Sequence, residues 1–347
     1  MSDILIRKAG RTGRITLNRP DALNALTYAM VREIDAALRD WADDSDVALL
    51  IIDGAGPRAF CAGGDIAEMY ATGTRGDYEY GRRFWRDEYT MNARLFDFPK
   101  PVVSLMQGFT MGGGVGVGCH ASHRIVGETS RIAMPECGIG LVPDVGGSLL
   151  LAQAPGRLGE YLGITGHRMD AADAIYAGFA DYFVPEDAWP ALVDALQDSG
   201  DWTRVDAAAQ TPGPSDLQAI QPQIDHHFAG EGLGDIVRSL RNAPGDFSEK
   251  TLKGLARGAP LSMAAAIEIV HRLRRADHIS AALELEFRFT YRSLDLGDFL
   301  EGIRAAIIDK DQAPNWQHAD PEAVPLAAVT KMLTPLGPHA LKLEDRT

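Results

Sequence analysis

Apolar and polar positions alternate between two periods along the first two hundred residues. Residues 4–17 hold two short runs, ILIRKAG and RITLN, and Gly10–Gly13 supplies the turn between two predicted strands. Met30, Ile34, Leu38 and Trp41 then recur at helical spacing, with Arg32, Asp35 and Arg39 between them, which predicts an amphipathic helix. VALLIIDGAG (47–56) is a continuous apolar run closed by glycines, the pattern of a strand buried on both faces. A helix is expected over 77–97, another buried strand over Pro101–Leu105, and short strands at His123–Val126 and Arg131–Met134. Strands alternating with helices over such a length predict an α/β fold.

After about residue 200 the pattern changes. TPGPSDLQAIQPQ (211–223) carries proline, glycine and serine and reads as a linker or long loop. Over 250–309 the chain is expected to be mainly helical: Ala264, Ile267, Val270 and Leu273 form one stripe, and Leu283, Leu285 and Phe289 another. Past Pro314 a loop and one short helix are expected. The organisation expected is therefore a core over 1–200 and a mainly helical region over 201–347, with no fixed-period repeat.

Composition narrows the function. The chain has 347 residues, and 34 Lys+Arg against 48 Asp+Glu give a net charge of −14. That balance argues against nucleic acid as a partner, because neutralising phosphates needs clustered cations. A local basic patch is still enough for one phosphorylated ligand. Cys61, Cys119 and Cys137 contain no CxxC pair, which points to a reducing compartment. The first twenty residues have scattered charges and no apolar core of a signal peptide, and no apolar run reaches the ~18 residues of a membrane span. The expectation is a cytoplasmic protein that does not use a membrane.

Several common chemistries are excluded. The chain has no GxxxxGK[ST], no GxSxG and no HExxH. His120 and His123, and the adjoining His226 and His227, have no companion Cys or carboxylate set at metal-ligand spacing, so no metal is expected. Gly116, Gly118 and Ala121 fit a loosened dinucleotide pattern, but no acid follows at the required distance.

What remains is two glycine-rich turns, FCAGGD (60–65) and GFTMGGGVGVG (108–118), each directly after a predicted buried strand. Such turns let backbone N–H groups approach a ligand, and two side by side supply two donors to one developing oxyanion. The same glycines also serve tight turns and close helix packing. In AMPECGIGLVPDVGGSLLL (133–151), prolines and glycines forbid a continuous helix, so Glu136 and Asp144 lie on a bent connection that can aim two carboxylates at one point. Read alone, Asp144 serves equally as N-cap of a helix over 145–154, and Glu136 as a solvated strand end.

IIDGAGPRAFCAGGDIAEM and QGFTMGGGVGVGCHASHRIVGETSRIAMPECGIGLVPDVGG together resemble the crotonase (enoyl-CoA hydratase/isomerase) superfamily. The resemblance runs from NRPDALNAL (18–26) to EGIRAAIIDKDQAPNW (301–316) and is nearest to the 3-hydroxyisobutyryl-CoA hydrolase branch. It implies a spiral of ββα units with roughly perpendicular sheets and a C-terminal helical region. It also implies an acyl-CoA thioester substrate, with CoA as part of the substrate rather than a cofactor, and it admits a homo-oligomer. By position, the oxyanion donors are the N–H groups of Gly64 and Gly113. Ala62, Asp65 and Ile66 lie in the stretch that meets the adenine end of CoA, and Arg58 and Lys310 are candidates for its phosphates. Glu136 and Asp144 become the catalytic pair, and Glu88, otherwise an ordinary helix-surface carboxylate, a substrate-binding acid.

The departures from the superfamily are informative. Gly116 stands where a hydratase carries one of its two glutamates, and Asp144 stands where many hydratases carry glycine. Losing one acid and gaining the other is the hydrolase pattern, and the implied reaction is hydrolysis of 3-hydroxyisobutyryl-CoA or a close 3-hydroxyacyl-CoA, as in valine degradation. Cys137 and Gly138 replace the Thr and Ala common in the branch. The alternatives are a hydratase or isomerase reaction, or a CoA-ester-binding homologue without catalysis.

Overall fold

The structure is a computed structural model that describes residues 2–343. Its nine strands are β1 (Ile4–Ala9), β2 (Thr12–Leu17), β3 (Leu49–Gly54), β4 (Ala59–Cys61), β5 (Val102–Met106), β6 (Phe109–Met111), β7 (His123–Val126), β8 (Arg131–Ala133) and β9 (Tyr182–Phe183). Six form one sheet in the order β1-β2-β3-β5-β7-β9, and β4-β6-β8 form a second. β1 and β2 are an antiparallel hairpin in which Ile4 faces Leu17, and every other pairing is parallel. This is the mixed α/β class that the alternating pattern predicts.

The continuous apolar run in β3 has a simple cause. Leu49 and Ile51 enter a core with Leu105, Ile125, Trp189, Leu192 and Leu196. Leu50 and Ile52 point the other way and are also fully buried. The helix Tyr28–Ala42 buries Met30, Ile34, Leu38 and Trp41, the stripe expected from spacing, and Thr27 caps it by accepting from the Met30 N–H.

The chain divides into two compact units that are both discontinuous in sequence, so neither coincides with residues 1–200. The first comprises the chain up to Asp65, Thr90–Ala133 and Arg168–Gln218, and it contains all nine strands. The second comprises Ile66–Tyr89, Met134–His167 and the chain from Ala219 onward, and is helical. Within it, Trp85 packs on Phe299 at 5.6 Å and Tyr89 meets Phe287 edge-on at 6.1 Å. The helices Pro260–Leu273 and Ile279–Leu296 carry the two predicted stripes, and the tail holds one short helix, Leu326–Leu333.

Two local expectations fail. Residues 211–223 are not all loop: a helix runs over Asp216–His227 with Pro222 inside it. Ser215 accepts from the Gln218 N–H at 3.0 Å, and Leu217, Ile224 and Phe228 are fully buried. Capping and burial outweigh the cost of one proline. A helix at Ala67–Gly73 was also not expected, since its seven residues are too few for a clear period.

The close approach of the two glycine turns makes a test. A Cβ on Gly114 would lie 2.2 Å from the Cys61 carbonyl oxygen, a backbone atom, whereas one on Gly138 would meet nothing within 4 Å. Gly114→Ala is expected to lower stability by about 1–3 kcal/mol, read as a lower denaturant midpoint with unchanged slope. Gly138→Ala is expected to leave the midpoint close to wild type.

Candidate active site

In the first unit, β4 and β6 are parallel neighbours, so the two glycine turns leave adjacent strands at the same end. The FCAGGD turn is tied to the segment 18–26. Ala62 N–H donates to the Leu23 carbonyl at 3.0 Å, Leu26 N–H to the Gly63 carbonyl at 2.9 Å, and Asp65 N–H to the Leu26 carbonyl at 2.8 Å. The buried Asn24 side chain holds that segment by donating to the carbonyls of Ala55 and Ala59. Leu26 thus uses the residues on either side of Gly64, and in a parallel bridge this turns the Gly64 N–H the other way. Gly113 opens the helix Gly113–Gly118, where a first-turn N–H has no intrahelical acceptor. Among the described residues neither the Gly64 nor the Gly113 N–H has a hydrogen-bond acceptor in the protein. The helix itself is GGVGVG, so Gly116 brings no ionisable group.

The other implied CoA residues are dispersed in character. Arg58 and Lys310 are exposed, on the first and second units respectively. Asp65 is ion-paired with Arg19 at 3.0 Å, so its carboxylate is already engaged. Ala62 is half-buried, and Ile66 precedes the helix Ala67–Gly73.

The second unit gathers carboxyls. Glu136 begins a 3-10 turn, Glu136–Ile139, closed by Gly140 in the left-handed region. That turn is anchored by the Ala259 N–H donating to the Cys137 carbonyl at 2.8 Å, and by Gly302 lying against the Ile139 carbonyl. Asp144 precedes a tight turn through Val145 (φ 53°) and Gly146 (φ 80°), with the Gly147 N–H donating to the Asp144 carbonyl at 2.7 Å. A positive φ is strained at valine and free at glycine. Glu88 and Tyr89 lie on the helix Glu79–Phe96. The Tyr89 hydroxyl donates to Asp144 Oδ2 at 2.7 Å.

Glu88 (3% exposed), Glu136 (5%), Asp144 (5%) and Glu286 (0%) are all buried. Burial is the main cause that raises each above its ordinary value. Asp144 is pushed up to about 7, against the hydrogen bond from Tyr89. Glu286 is pushed up to about 8, by burial and then by the charge of Asp144, against its hydrogen bonds from Ser148 and Gly146. Glu88 and Glu136 are pushed well up by burial and then by Asp144, and Glu136 also feels Glu286. The charge of Asp144 acts on Glu136, so the protonation of Asp144 bears on that of Glu136. Among the described residues Glu136 Oε2 is buried with no hydrogen-bond partner. The neighbouring Cys137 thiol is pushed well up by burial and then by Glu136, which keeps it protonated and a poor nucleophile.

The structure therefore brings Glu88, Glu136 and Asp144 into one electrostatic cluster and corrects two simpler readings. Glu136 is not a solvated strand end. Asp144 is not an N-cap: the helix runs over Gly147–Gln153 with Gly146 as its cap residue, and the Asp144 carboxylate goes to Tyr89. Two residues of the cluster, Tyr89 and Glu286, were not anticipated. Their only sequence signal is adjacency to Glu88 for Tyr89, and for Glu286 an acid inside the apolar stripe LELEF. The histidines are engaged elsewhere. His123 stacks on Tyr182, and His227 on Phe247.

The family model described as Enoyl-CoA hydratase/isomerase matches residues 12–333. The chain is 36% identical to the 3-hydroxyisobutyryl-CoA hydrolase, mitochondrial, of Danio rerio, covering 99% of this chain and 92% of that one. It is 34% identical to the protein of the same name from Homo sapiens, covering 98% and 90%. A solved structure described as an enoyl-CoA hydratase from Rhodobacter sphaeroides 2.4.1 superposes with a TM-score of 0.95 at 58% identity, covering 99% of this chain and all of that one. One described as a carnitinyl-CoA dehydratase from Mycobacterium thermoresistibile superposes with a TM-score of 0.94 at 38% identity, covering both chains fully.

The raised carboxyls set a pH dependence. A carboxyl whose folded value lies above its unfolded one binds more protons when folded, so stability is lost as pH rises from the unfolded value to the folded one. For Asp144 that window runs from about 3.8 to about 7, and for Glu286 from about 4.5 to about 8. The ligand-free protein is expected to lose on the order of 4 kcal/mol per such group across the window. Asp144→Asn removes one of them. Thermal melts should show it gaining more over wild type at pH 8 than at pH 5.

Proposed function

We propose, from the premise that the chain belongs to the enoyl-CoA hydratase/isomerase family, that it is an acyl-CoA thioester hydrolase acting on 3-hydroxyisobutyryl-CoA or a close 3-hydroxyacyl-CoA. The full-length curated relatives bearing that name support the substrate class. The observation that carries the chemistry is the buried Oε2 of Glu136, which has no hydrogen-bond partner among the described residues, in a cluster with Asp144. A buried carboxyl with an unfilled acceptor is costly unless a ligand or water completes it.

In this reading the Gly64 and Gly113 N–H groups take the thioester oxygen, as donors that have no acceptor of their own. Glu136 then acts in one of two ways. Its carboxylate attacks the carbonyl carbon, the C–S bond breaks, CoA leaves as thiolate, and water cleaves the mixed anhydride to return free Glu136. Or it takes a proton from water as the water attacks, and the tetrahedral intermediate expels the thiolate. Both routes consume one water and give the acid and CoA. The raised value makes the Glu136 carboxylate a stronger base once it is ionised, and either route runs only through that ionised fraction. Asp144, with Oδ2 held by Tyr89, receives the substrate's 3-hydroxyl, and Glu88 helps to line the acyl end. Ala62, Asp65, Ile66, Arg58 and Lys310 are assigned to the coenzyme portion.

A hydratase or dehydratase reaction, as the descriptions of the similar solved structures read, is the second possibility. The absence of any ionisable side chain on the helix Gly113–Gly118 weighs against it, because the hydratase arrangement needs an acid there. For the compartment, no helix among the described residues is long and apolar enough to cross a membrane. The three cysteines are buried and form no disulfide among the described residues, which suits a reducing compartment. The cytoplasm is the reading kept for this chain, while the curated relatives are named as mitochondrial.

The test is incubation with a panel of acyl-CoAs while following free thiol. Thiol release with a preference for 3-hydroxyacyl-CoAs is expected. A change in enone absorbance without thiol would assign the hydratase instead. Glu136→Gln should lower kcat by at least 10²-fold while still binding acyl-CoA. Single turnover in H₂¹⁸O tests the anhydride: label in the Glu136 peptide establishes it, whereas label only in the product acid fits either the base or water attack on the acyl carbon of the anhydride. Gly113→Pro, which lacks the N–H, should lower kcat by about 10²–10³-fold in a folded protein.

A further inference from the structure

Glu286 is fully buried on the helix Ile279–Leu296, and the reaction steps above do not use it. Both of its oxygens point at one short stretch of chain. Oε2 accepts from the Gly146 N–H at 2.9 Å, and Oε1 accepts from the Ser148 N–H at 3.1 Å and from the Ser148 hydroxyl. These N–H groups open the helix Gly147–Gln153, where first-turn donors have no partner inside the helix.

Such donors are ordinarily capped from within the chain, by a Ser, Thr, Asp or Asn just before the helix. Here the cap residue is Gly146, which has no side chain to offer. The one local side chain suited to capping is Asp144, and its carboxylate is turned to Tyr89. Glu286 therefore does from 138 residues away in sequence what Asp144 would otherwise do locally. It also holds the strained turn Val145–Gly146, which follows Asp144, at the Gly146 N–H and just beyond it at Ser148.

We propose that Glu286 is a positioning residue that caps the helix Gly147–Gln153 in place of Asp144 and so releases Asp144 to read the 3-hydroxyl of the substrate. The proposal rests on the hydroxyl-reading role given to Asp144 above. A carboxylate costs more to bury than an amide or hydroxyl, and a plain cap does not need one. Three donors converging on two oxygens favour the ionised form, which accepts at both ends, and so work against the burial that raises the group to about 8. Glutamine would place an NH₂ against an N–H at one end.

The test compares the affinity of two non-hydrolysable thioether analogues of CoA esters, one with a 3-hydroxyacyl and one with a plain acyl chain. Calorimetry is run on wild type, Glu286→Gln, Glu286→Leu and Ser148→Ala. Wild type should prefer the hydroxylated analogue. Glu286→Gln should reduce that preference by roughly tenfold and Glu286→Leu by more, with affinity for the plain analogue within about twofold of wild type. A role confined to folding would lower both affinities together or neither. Should the Glu286 variants fail to fold, Ser148→Ala, which keeps both backbone bonds, is expected to reduce the preference by roughly threefold. A folded variant with the wild-type preference overturns the proposal. The measurement needs no turnover. Wild type without thiol release would refute the hydrolase, and wild type without a hydroxyl preference would refute Asp144 as reader. Only an intact preference in the variants refutes Glu286 as its positioner.

Discussion

Four carboxyl groups buried in one helical unit, each raised chiefly by that burial, are the constraint from which the rest of the site follows. Burial alone would drive every one of them to its neutral form. Hydrogen bonds relieve Asp144 and Glu286, and a backbone one relieves Glu136 in part. Tyr89 donates to Asp144, and the turn 146–148 donates three times to Glu286. Glu136 receives no such relief at Oε2. The unit therefore holds one unsatisfied group at a defined place, and a strained environment of this kind persists only where the surrounding packing over-determines it.

The packing that does so is visible residue by residue. Glu136 cannot swing outward with its backbone, because the following turn is pinned through Cys137 to Ala259 and through Ile139 to the close approach of Gly302. Gly140 lies against the Asp298 carbonyl, so even that reversal has no room for a side chain. Asp144 is held from one side by Tyr89, itself wedged on Phe287, and from the other by a turn that Glu286 clamps. The aromatic contacts Trp85–Phe299 and Tyr89–Phe287 thus do more than fill the core. They fix the helices that carry the acids, and the apolar burial around them offsets the electrostatic cost of gathering like charges.

How much of this was legible in the sequence depended on whether the signal was local. The strands β3 and β5 were legible because both faces are apolar and glycine or proline bounds them. The two glycine turns were legible because each follows such a strand. Glu136 and Asp144 stood out because prolines and glycines deny that stretch a helix. Glu88 looked like any surface acid of an amphipathic helix, and only the family resemblance marked it. Glu286 gave no signal, since one acid in a helical stripe is ordinary, and its role arises from a contact 138 residues distant. The helix Asp216–His227 was missed for the complementary reason. Its proline and polar residues are strong local signals, and Ser215 with the buried Leu217 and Ile224 overrules them.

The sequence departure at Gly116 gains a physical meaning from this arrangement. The helix Gly113–Gly118 consists of glycine and valine, and the turns around Gly64 and Gly113 offer backbone dipoles whose strength does not change with pH. Among the described residues the buried, strongly shifted carboxyls Glu88, Glu136, Asp144 and Glu286 lie in the other unit. On the proposed reading, polarising the carbonyl and moving the proton are therefore assigned to chemically distinct parts. A glutamate at position 116 would add a further acid and make a two-acid addition to a double bond accessible. Glycine there removes that option at no cost to the backbone donors. Asp144 supplies a second acid from a turn that in a hydratase of this superfamily is commonly glycine. An aspartate just before a helix would ordinarily be drawn into capping it, so that acid is free for a substrate only if something else satisfies the helix end. On the proposed reading Glu286 is that group, so the acid at 144 and the distant one at 286 act together on one turn.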